Sequence, residues 1–371
     1  RVNDWLTFME TISFQFDNAR YAIFVPYTAS GIRWLDPNNN FAWERNITGT
    51  LFTTRTTALL SPIKTSFHSL SGTFLWETNQ DSNEWIQIAT GNGPSVYIRD
   101  PAAFTTKNGI KSSSSNINSL GGLGQILYKI KDRYIFQANA RVDANSKFGE
   151  TFRWGLFPSV SYAWRFSEER FIRDLGLFGD SKFRVSYGRT GRSDVDAYDR
   201  HGYYSDASGS GFTGTSSAYL DMPTLIPVQV ELERLKWETV DMFNIGMDVS
   251  MFKDRLFLTV EYYNKETSDM LWPDYDLPSS TGYSKLNQYN EGGLRNRGWE
   301  MNTRVVVIRK EDLNASLNFN IYNNQNLFTE FPANLITERN TELGNGAYPL
   351  KAEVGTPVGS FFGFRYQGVY P

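Results

Sequence analysis

Residues 237–271 read WETVDMFNIGMDVSMFKDRLFLTVEYYNKETSDML, from Trp237 to Leu271, and their period decides the fold. In the first half Ile245, Met247, Val249 and Met251 alternate with Asn244, Gly246, Asp248 and Ser250. A polar turn at Lys253-Asp254-Arg255 follows. Beyond it Leu256, Leu258, Val260 and Tyr262 share one side, and Phe257, Thr259, Glu261 and Tyr263 the other. An apolar residue at every second position marks a strand with one apolar and one polar face. Two such runs around a short turn make an antiparallel hairpin. Each arm reaches about ten residues, the length a tilted strand needs to cross a bilayer, whereas soluble strands usually stop at about six. Asn244, Asp248 and Glu261 suit the wall of a wet lumen, because a carboxylate in a packed core must be paired. The expected fold class is all-β, an antiparallel transmembrane β-barrel.

The totals agree with that class. The chain has 371 residues, 40% of them hydrophobic, and no apolar run near eighteen residues, which rules out a transmembrane helix but not a barrel strand. Aromatic residues make up 15%, as the girdles of a barrel require. A sugar-binding β-sandwich is equally aromatic, so composition by itself leaves the two open. A formal charge of −3 gives no electrostatic case for nucleic acid. With no cysteine and two distant histidines, His68 and His201, no metal site and no cofactor is expected. No signal peptide precedes the first period-two segment, and the final Gly368-Val369-Tyr370-Pro371 has no natural ending, so residues 1–371 read as one β-barrel segment of a longer protein.

Along the chain, Ile12, Phe14 and Phe16 alternate with polar residues, and Asp17-Asn18-Ala19-Arg20 is expected to turn the chain into a second strand. Residues 31–41 read as a loop, 45–60 and 63–77 as strands. From 78 to 118 the chain reads as mostly polar loop with a weak strand at 85–89, its Ser112–115 run flexible. Strands 121–130 and 134–142 flank Lys131-Asp132-Arg133, with Phe136, Ala138, Ala140 and Val142 opposing Gln137, Asn139, Arg141 and Asp143. A strand at 155–166 follows, then a short helix with Ser167 as N-cap and Glu168 and Glu169 in its first turn. Residues 182–190 are a strand, 191–224 and 273–289 long loops, and 298–308 with 313–327 a hairpin around Lys310-Glu311-Asp312. The register of 301–308 stays undecided, since 305–308 is apolar on both faces. About a dozen strands with brief turns at one end and long loops at the other is the layout of an outer-membrane barrel.

Several segments also resemble a known family. Lys131-Asp132-Arg133-Tyr134 followed by the run from Arg141 to Gly149 is similar to a signature of SusC/RagA-type TonB-dependent outer-membrane transporters. So are the runs from Phe157 to Arg165 (FPSVSYAWR) and from Phe183 to Gly191 (FRVSYGRTG). The central hairpin, Asn296-Arg297-Gly298-Trp299-Glu300 and the run from Gly355 to Gly363 complete six motifs in family order. Ala144-Asn145 and Arg192 depart from the usual pattern without touching the fold. The resemblance covers the chain from about Tyr128 onward. It implies a plugged barrel of about twenty-two strands, of which the plug, the TonB box and the last strands are not in this chain.

What the resemblance implies about function is import of a large nutrient, an oligosaccharide or peptide, across the outer membrane. A SusD-like surface lipoprotein would be the lid, TonB (with ExbB and ExbD behind it) the energy source, and outer-membrane lipids the surroundings. A non-transporting barrel serving as scaffold of a larger complex is the alternative, and a secreted glycan-binding module a third reading. No enzyme is expected. The acid pairs Glu168/Glu169, Asp194/Asp196 and Asp274/Asp276 lack the geometry of an acid–base pair. Gly209 to Gly214 spells GxGxxG in a Ser/Gly loop, without the strand and helix a dinucleotide site needs.

Two sets of candidate site residues remain. Tyr198, Tyr203, Tyr204, Phe212 and Tyr219, with Trp272 and Tyr275 in the next loop, could stack on a carbohydrate or pack against a lid; loop-to-loop packing explains them equally. Arg141 and Asp143 beside Lys147, with Asn244, Asp248, Glu261 and Glu300, are expected on the lumen side, contacting a plug or simply solvated, the second being the plainer reading.

Overall fold

The computed structural model describes residues 3–30, 40–206, 218–219, 222–223, 225–283, 285–331, 350–351, 353–361 and 367–368. Strands β1 (Leu6–Val25), β2 (Phe41–Lys64), β3 (His68–Gly91) and β4 (Thr106–Ile130) come first. Strands β5 (Tyr134–Asn145), β6 (Trp154–Trp164) and β7 (Lys182–Arg192) follow. Between β7 and the central hairpin lie β8 (Tyr203–Asp206), β9 (Ala218–Tyr219), β10 (Met222–Pro223) and β11 (Leu225–Gln229). The hairpin is β12 (Glu238–Met251) and β13 (Leu256–Ser268). Then come β14 (Leu271–Asp276), β15 (Lys285–Asn290), β16 (Gly293–Arg309), β17 (Asn314–Glu330), β18 (Leu350–Lys351) and β19 (Ser360–Phe361). Eleven of them form one sheet in the order β1-β2-β3-β4-β5-β6-β7-β12-β13-β16-β17, so each strand lies beside its neighbours in sequence once the loop hairpins are set aside. Among the described residues no helix is long and apolar enough to cross a membrane, which says nothing against crossing by strands.

The chain divides into two compact units. The smaller comprises Met9–Thr57 and Trp76–Gly121. Here the sequence-based expectation is corrected twice. Asp17 to Arg20 is no turn, because β1 runs unbroken to Val25, and Arg20 reaches Glu44 of β2 at 2.8 Å. The polar stretch 78–118 is no loop either: it forms the upper part of β3 and most of β4, including the serine run, and only 92–105 connects them. Polarity on both faces hides a strand from a hydropathy reading, while the ladder of backbone hydrogen bonds is indifferent to it. The polar side chains pair laterally instead, Thr53 Oγ1 donating to Asn79 Oδ1 at 2.8 Å and Arg55 Nε to Glu77 at 2.7 Å.

The larger unit comprises Arg1–Phe8, Ala58–Leu75 and Gly122–Pro371. Its central register sorts the two faces as the alternation requires. Ile245 faces Tyr262, Met247 Val260, Val249 Leu258 and Met251 Leu256. On the next strand Tyr262 faces Trp299, Val260 Met301 and Leu256 Val305, and these lead on to Ile321 and Leu317 of β17. This side of the sheet is apolar yet uncovered: Leu317 is 68% exposed and Phe319 57%. Only ten hydrophobic residues are buried among those described, so the fold has a wide apolar face in place of a large core. The undecided register of 301–308 is explained by a bulge between Val306 and Ile308, which lets both faces of that run be apolar.

The tight turns fall where the sequence places them. Lys131 and Asp132, then Phe252, Lys253 and Asp254, adopt left-handed backbone angles between β4 and β5 and between β12 and β13. Lys310 caps the β16–β17 turn by exchanging backbone hydrogen bonds with Leu313. The expected sorting of short and long connections has one exception, since β6 joins β7 through seventeen residues, 165–181, at the end of the short turns. The expected helix there is also smaller and differently built. A 3-10 turn, Phe166–Glu168, and one α-turn, Arg170–Arg173, replace it, and Ser167 caps neither. Its hydroxyl is buried against Ser181, accepting from Ser181 N at 3.0 Å, and Ser181 in turn holds Ser250. Glu169 ties β5 to β6, accepting from Tyr134 Oη (2.6 Å), Arg133 (2.7 Å) and Trp164 Nε1 (3.2 Å).

Candidate functional site

The polar side of the larger unit carries one ion-pair network across three strands. Arg184 of β7 donates from Nε to Asp248 of β12 at 3.1 Å and from Nη2 to Glu261 of β13 at 2.8 Å. Lys182 lies 3.7 Å from Asp248, Thr259 Oγ1 donates to Asp248 at 3.0 Å, and Asn244 Nδ2 donates to Glu261. The site exists because these strands place Arg184 opposite Gly246, where a Cβ would stand 3.0 Å from the guanidinium carbon. Glycine lets the flat guanidinium lie across β12 to reach Asp248 on that strand and Glu261 on the next. Two arginine and lysine charges balance two carboxylates, so the network is neutral.

Of the residues singled out from sequence, Asn244, Asp248 and Glu261 are thus brought together. Glu300 sits directly opposite Glu261 in register but outside the ion pairs. Arg141 and Asp143 form their own pair on β5 at 2.7 Å, apart from this network. Lys147 does not join them; its charge acts on Asp199. Arg184 and Lys182 were missed, although their alternation with Phe183 and Val185 carries the same period-two signal.

A second constellation joins the long connections at the other end of these strands. Phe148, Val195 and Leu235 form a small buried core, with Leu232, Trp237 and Leu271 packed on it. Phe148 packs against Trp237 with ring centroids 4.8 Å apart and planes tilted by 40°, and Trp237 Nε1 donates to Arg153 O at 3.0 Å. Asn290 clamps two segments, donating to Lys236 O (2.9 Å) and Asp269 O (3.0 Å) and accepting from Lys236 N. Gln229, 2% exposed, donates to Asp199 O and His201 O and accepts from Asn287. The described residues within 146–153, 193–237 and 269–292 therefore make one packed cap, and the expected loop at 273–289 contains the β14–β15 hairpin. The 191–224 loop likewise contributes β8, which pairs with β11.

The loop aromatics divide by environment. Trp272 is anchored in the fold, where Nε1 donates to Glu291 O at 2.7 Å and the ring packs on Phe328 and Phe331. Tyr198 lies against His201 and is exposed, as are Tyr203 and Tyr204 on β8. Phe212 and the run from Gly209 to Gly214 lie outside the described residues, as do the side chains of Tyr219 and Tyr275. His68 stacks on Tyr128, and among the described residues no group of His, Asp and Glu could hold a metal ion.

A meander of antiparallel strands with one uncovered apolar face, one ionic face and packed loops at one end is the wall of an outer-membrane β-barrel. Comparison with known proteins narrows the class. Residues 2–369 match the family model described as TonB dependent receptor-like, beta-barrel, and the chain belongs to that family. TonB-dependent receptor P39 of Formosa agariphila is 33% identical over 66% of this chain, TonB-dependent receptor P3 of the same organism 27% over 99%, and TonB-dependent receptor SusC of Bacteroides thetaiotaomicron 27% over 74%. The chain spans 22%, 36% and 26% of their respective lengths. A solved structure of the RagAB peptide transporter superposes with a TM-score of 0.80 over 97% of this chain and 38% of that one, at 20% identity, which shows a shared fold. The resemblance to SusC/RagA-type barrels and the outer-membrane location stand on these matches.

Proposed function

We propose that this wall belongs to a TonB-driven importer that admits a large nutrient, an oligosaccharide or a peptide, through a plugged lumen. A SusD-like surface lipoprotein closes over the packed cap. The family match across almost the whole chain carries this reading. The ionic face supports it, since Arg184, Asp248 and Glu261 suit a wet interior. Arg141, Asp143, Asn244, Asp248, Glu261 and Glu300 line that interior, where a plug or substrate meets them. Tyr203 and Tyr204, exposed on the cap, offer flat rings to a sugar or a lid surface. Binding and guided passage are all the wall has to provide; no covalent step is needed.

The test is a deletion strain complemented with the intact gene, grown on oligosaccharide or peptide mixtures as sole nutrient, with the barrel tagged for purification from detergent. Lost growth on one nutrient class, restored only when TonB is present, together with a co-purifying lipoprotein, is the expected result. Unchanged growth on every nutrient, with the barrel in a large complex lacking a lipoprotein, would replace the importer with a scaffold.

A further inference from the structure

On the apolar face, toward the end where the cap connections lie, the sheet carries a collar of charge. Arg189, Asp241, Glu266 and Arg295 occupy one row on β7, β12, β13 and β16, each opposite the next in register. Arg189 is spent on Asp241 through two hydrogen bonds of 2.9 and 2.8 Å, with Tyr187 Oη donating to the same carboxylate at 2.9 Å. Arg295 donates to Glu266 at 2.8 Å through Nε. Arg297, two residues further along the same face, is exposed and donates through Nε to the neutral amide of Gln325 at 3.0 Å. Arg189 and Arg295 each meet a carboxylate, whereas the described hydrogen bond of Arg297 goes to a neutral amide.

The position of Arg297 is informative. Trp299 and Tyr262, paired across β16 and β13, open the apolar band, and Arg297 stands two residues beyond Trp299, about 7 Å along the strand. Interfacial Trp and Tyr mark the level of the headgroups. A guanidinium pointing outward there stands among the headgroups, whose phosphates are anions within its reach. Arg295 and Arg297 lie on one face two residues apart, and the described hydrogen bonds of both use Nε, leaving Nη donors on each fork for a further acceptor. That geometry matches phosphate, which guanidinium binds bidentately.

We infer that Arg295 and Arg297 form a site for the phosphate of an outer-leaflet lipid, with Trp299 and Tyr262 below it against the acyl chains. The inference goes beyond nutrient import and rests only on the membrane placement of the wall, with the cap end at the cell surface.

Full-length protein purified from outer membranes in detergent is offered lipid A, lipid A stripped of phosphate, and inorganic phosphate, and bound molecules are counted by native mass spectrometry. Lipid A is expected to bind about tenfold more tightly than the stripped lipid, a difference of one charge-assisted contact. R295Q/R297Q abolishes that preference, and K265Q, at the same height on the opposite face, preserves it. Arg297→Lys, which keeps the charge but loses the planar fork, gives an intermediate preference and serves if the double variant does not reach the membrane. Equal binding of intact and stripped lipid overturns the site, as does an unchanged preference in R295Q/R297Q or in R297K. Displacement of lipid A by millimolar inorganic phosphate would assign the pair to a free anion and equally overturn it.

Discussion

The guanidinium of Arg184 lies flat over Gly246, so close that an added Cβ would stand 3.0 Å from its central carbon. From there it reaches Asp248 on the same strand as the glycine and Glu261 on the next. A single missing side chain thus couples three strands.

Gly246→Ala should displace Arg184 and weaken the network by about 1–2 kcal/mol, the usual cost of overfilling a tight contact. Thermal unfolding of the purified barrel, followed by its shift from compact to unfolded mobility on SDS gels, measures it. An unchanged midpoint would show that the guanidinium relocates freely.

Replacing Arg184 by Met leaves Asp248 and Glu261 as diagonal neighbours with only Lys182 and neutral donors. The side chains involved are about one-quarter to one-third exposed, so solvent screens the loss to about 1 kcal/mol. The deficit should grow at low salt, where like charges repel over a longer range. Unfolding midpoints at two ionic strengths decide the point.

Trp237→Ala should loosen the cap and leave the wall intact. The indole bridges Phe148 and Phe157 and holds Arg153 O, so its loss costs about 3 kcal/mol of local stability. Limited proteolysis should then cut within 193–237 or 269–292, with the strands still resistant.

Asp199 makes the cap sensitive to pH. Burial, with help from the Asp196 carboxylate, holds its carboxyl above the ordinary range, while the hydrogen bond from Asp196 N and the charge of Lys147 pull the other way. The folded cap keeps a proton that the unfolded chain has released, so stability falls as pH rises from the ordinary aspartate value through the raised one. Proteolysis of the cap should therefore be slower near the ordinary aspartate value, about pH 4, than near pH 7. Asp199→Asn, which retains an acceptor for Asp196 N, should flatten the profile at its slow end.

If Tyr203 and Tyr204 contact the nutrient or its lid, the double alanine variant should lower uptake several-fold while the folded barrel reaches the membrane in normal amount. Uptake at wild-type rate would leave the exposed rings without a binding role.

How much of this was legible beforehand differs between segments. Period two is a local property, so residues 237–271 revealed their two faces directly, and the register bears them out pair by pair. The turns at Lys131, Lys253 and Lys310 were equally plain, since polar residues at fixed spacing interrupt the alternation. The six motifs led to a family that the chain indeed belongs to. At 17–20 of β1 and over 78–118 of β3 and β4 the same method failed, because side chains polar on both faces erase the period while the backbone ladder continues.

The linear chain by itself determined that this is a barrel wall with an apolar and an ionic face. Only the tertiary structure decided which charges meet. Arg184 finds Glu261 seventy-seven positions away, and Gln229 finds Asn287 fifty-eight away, because strand pairing brings them alongside. Local alternation says which way a side chain points; its partner across the ladder is set by register, and register is settled by all the strands at once.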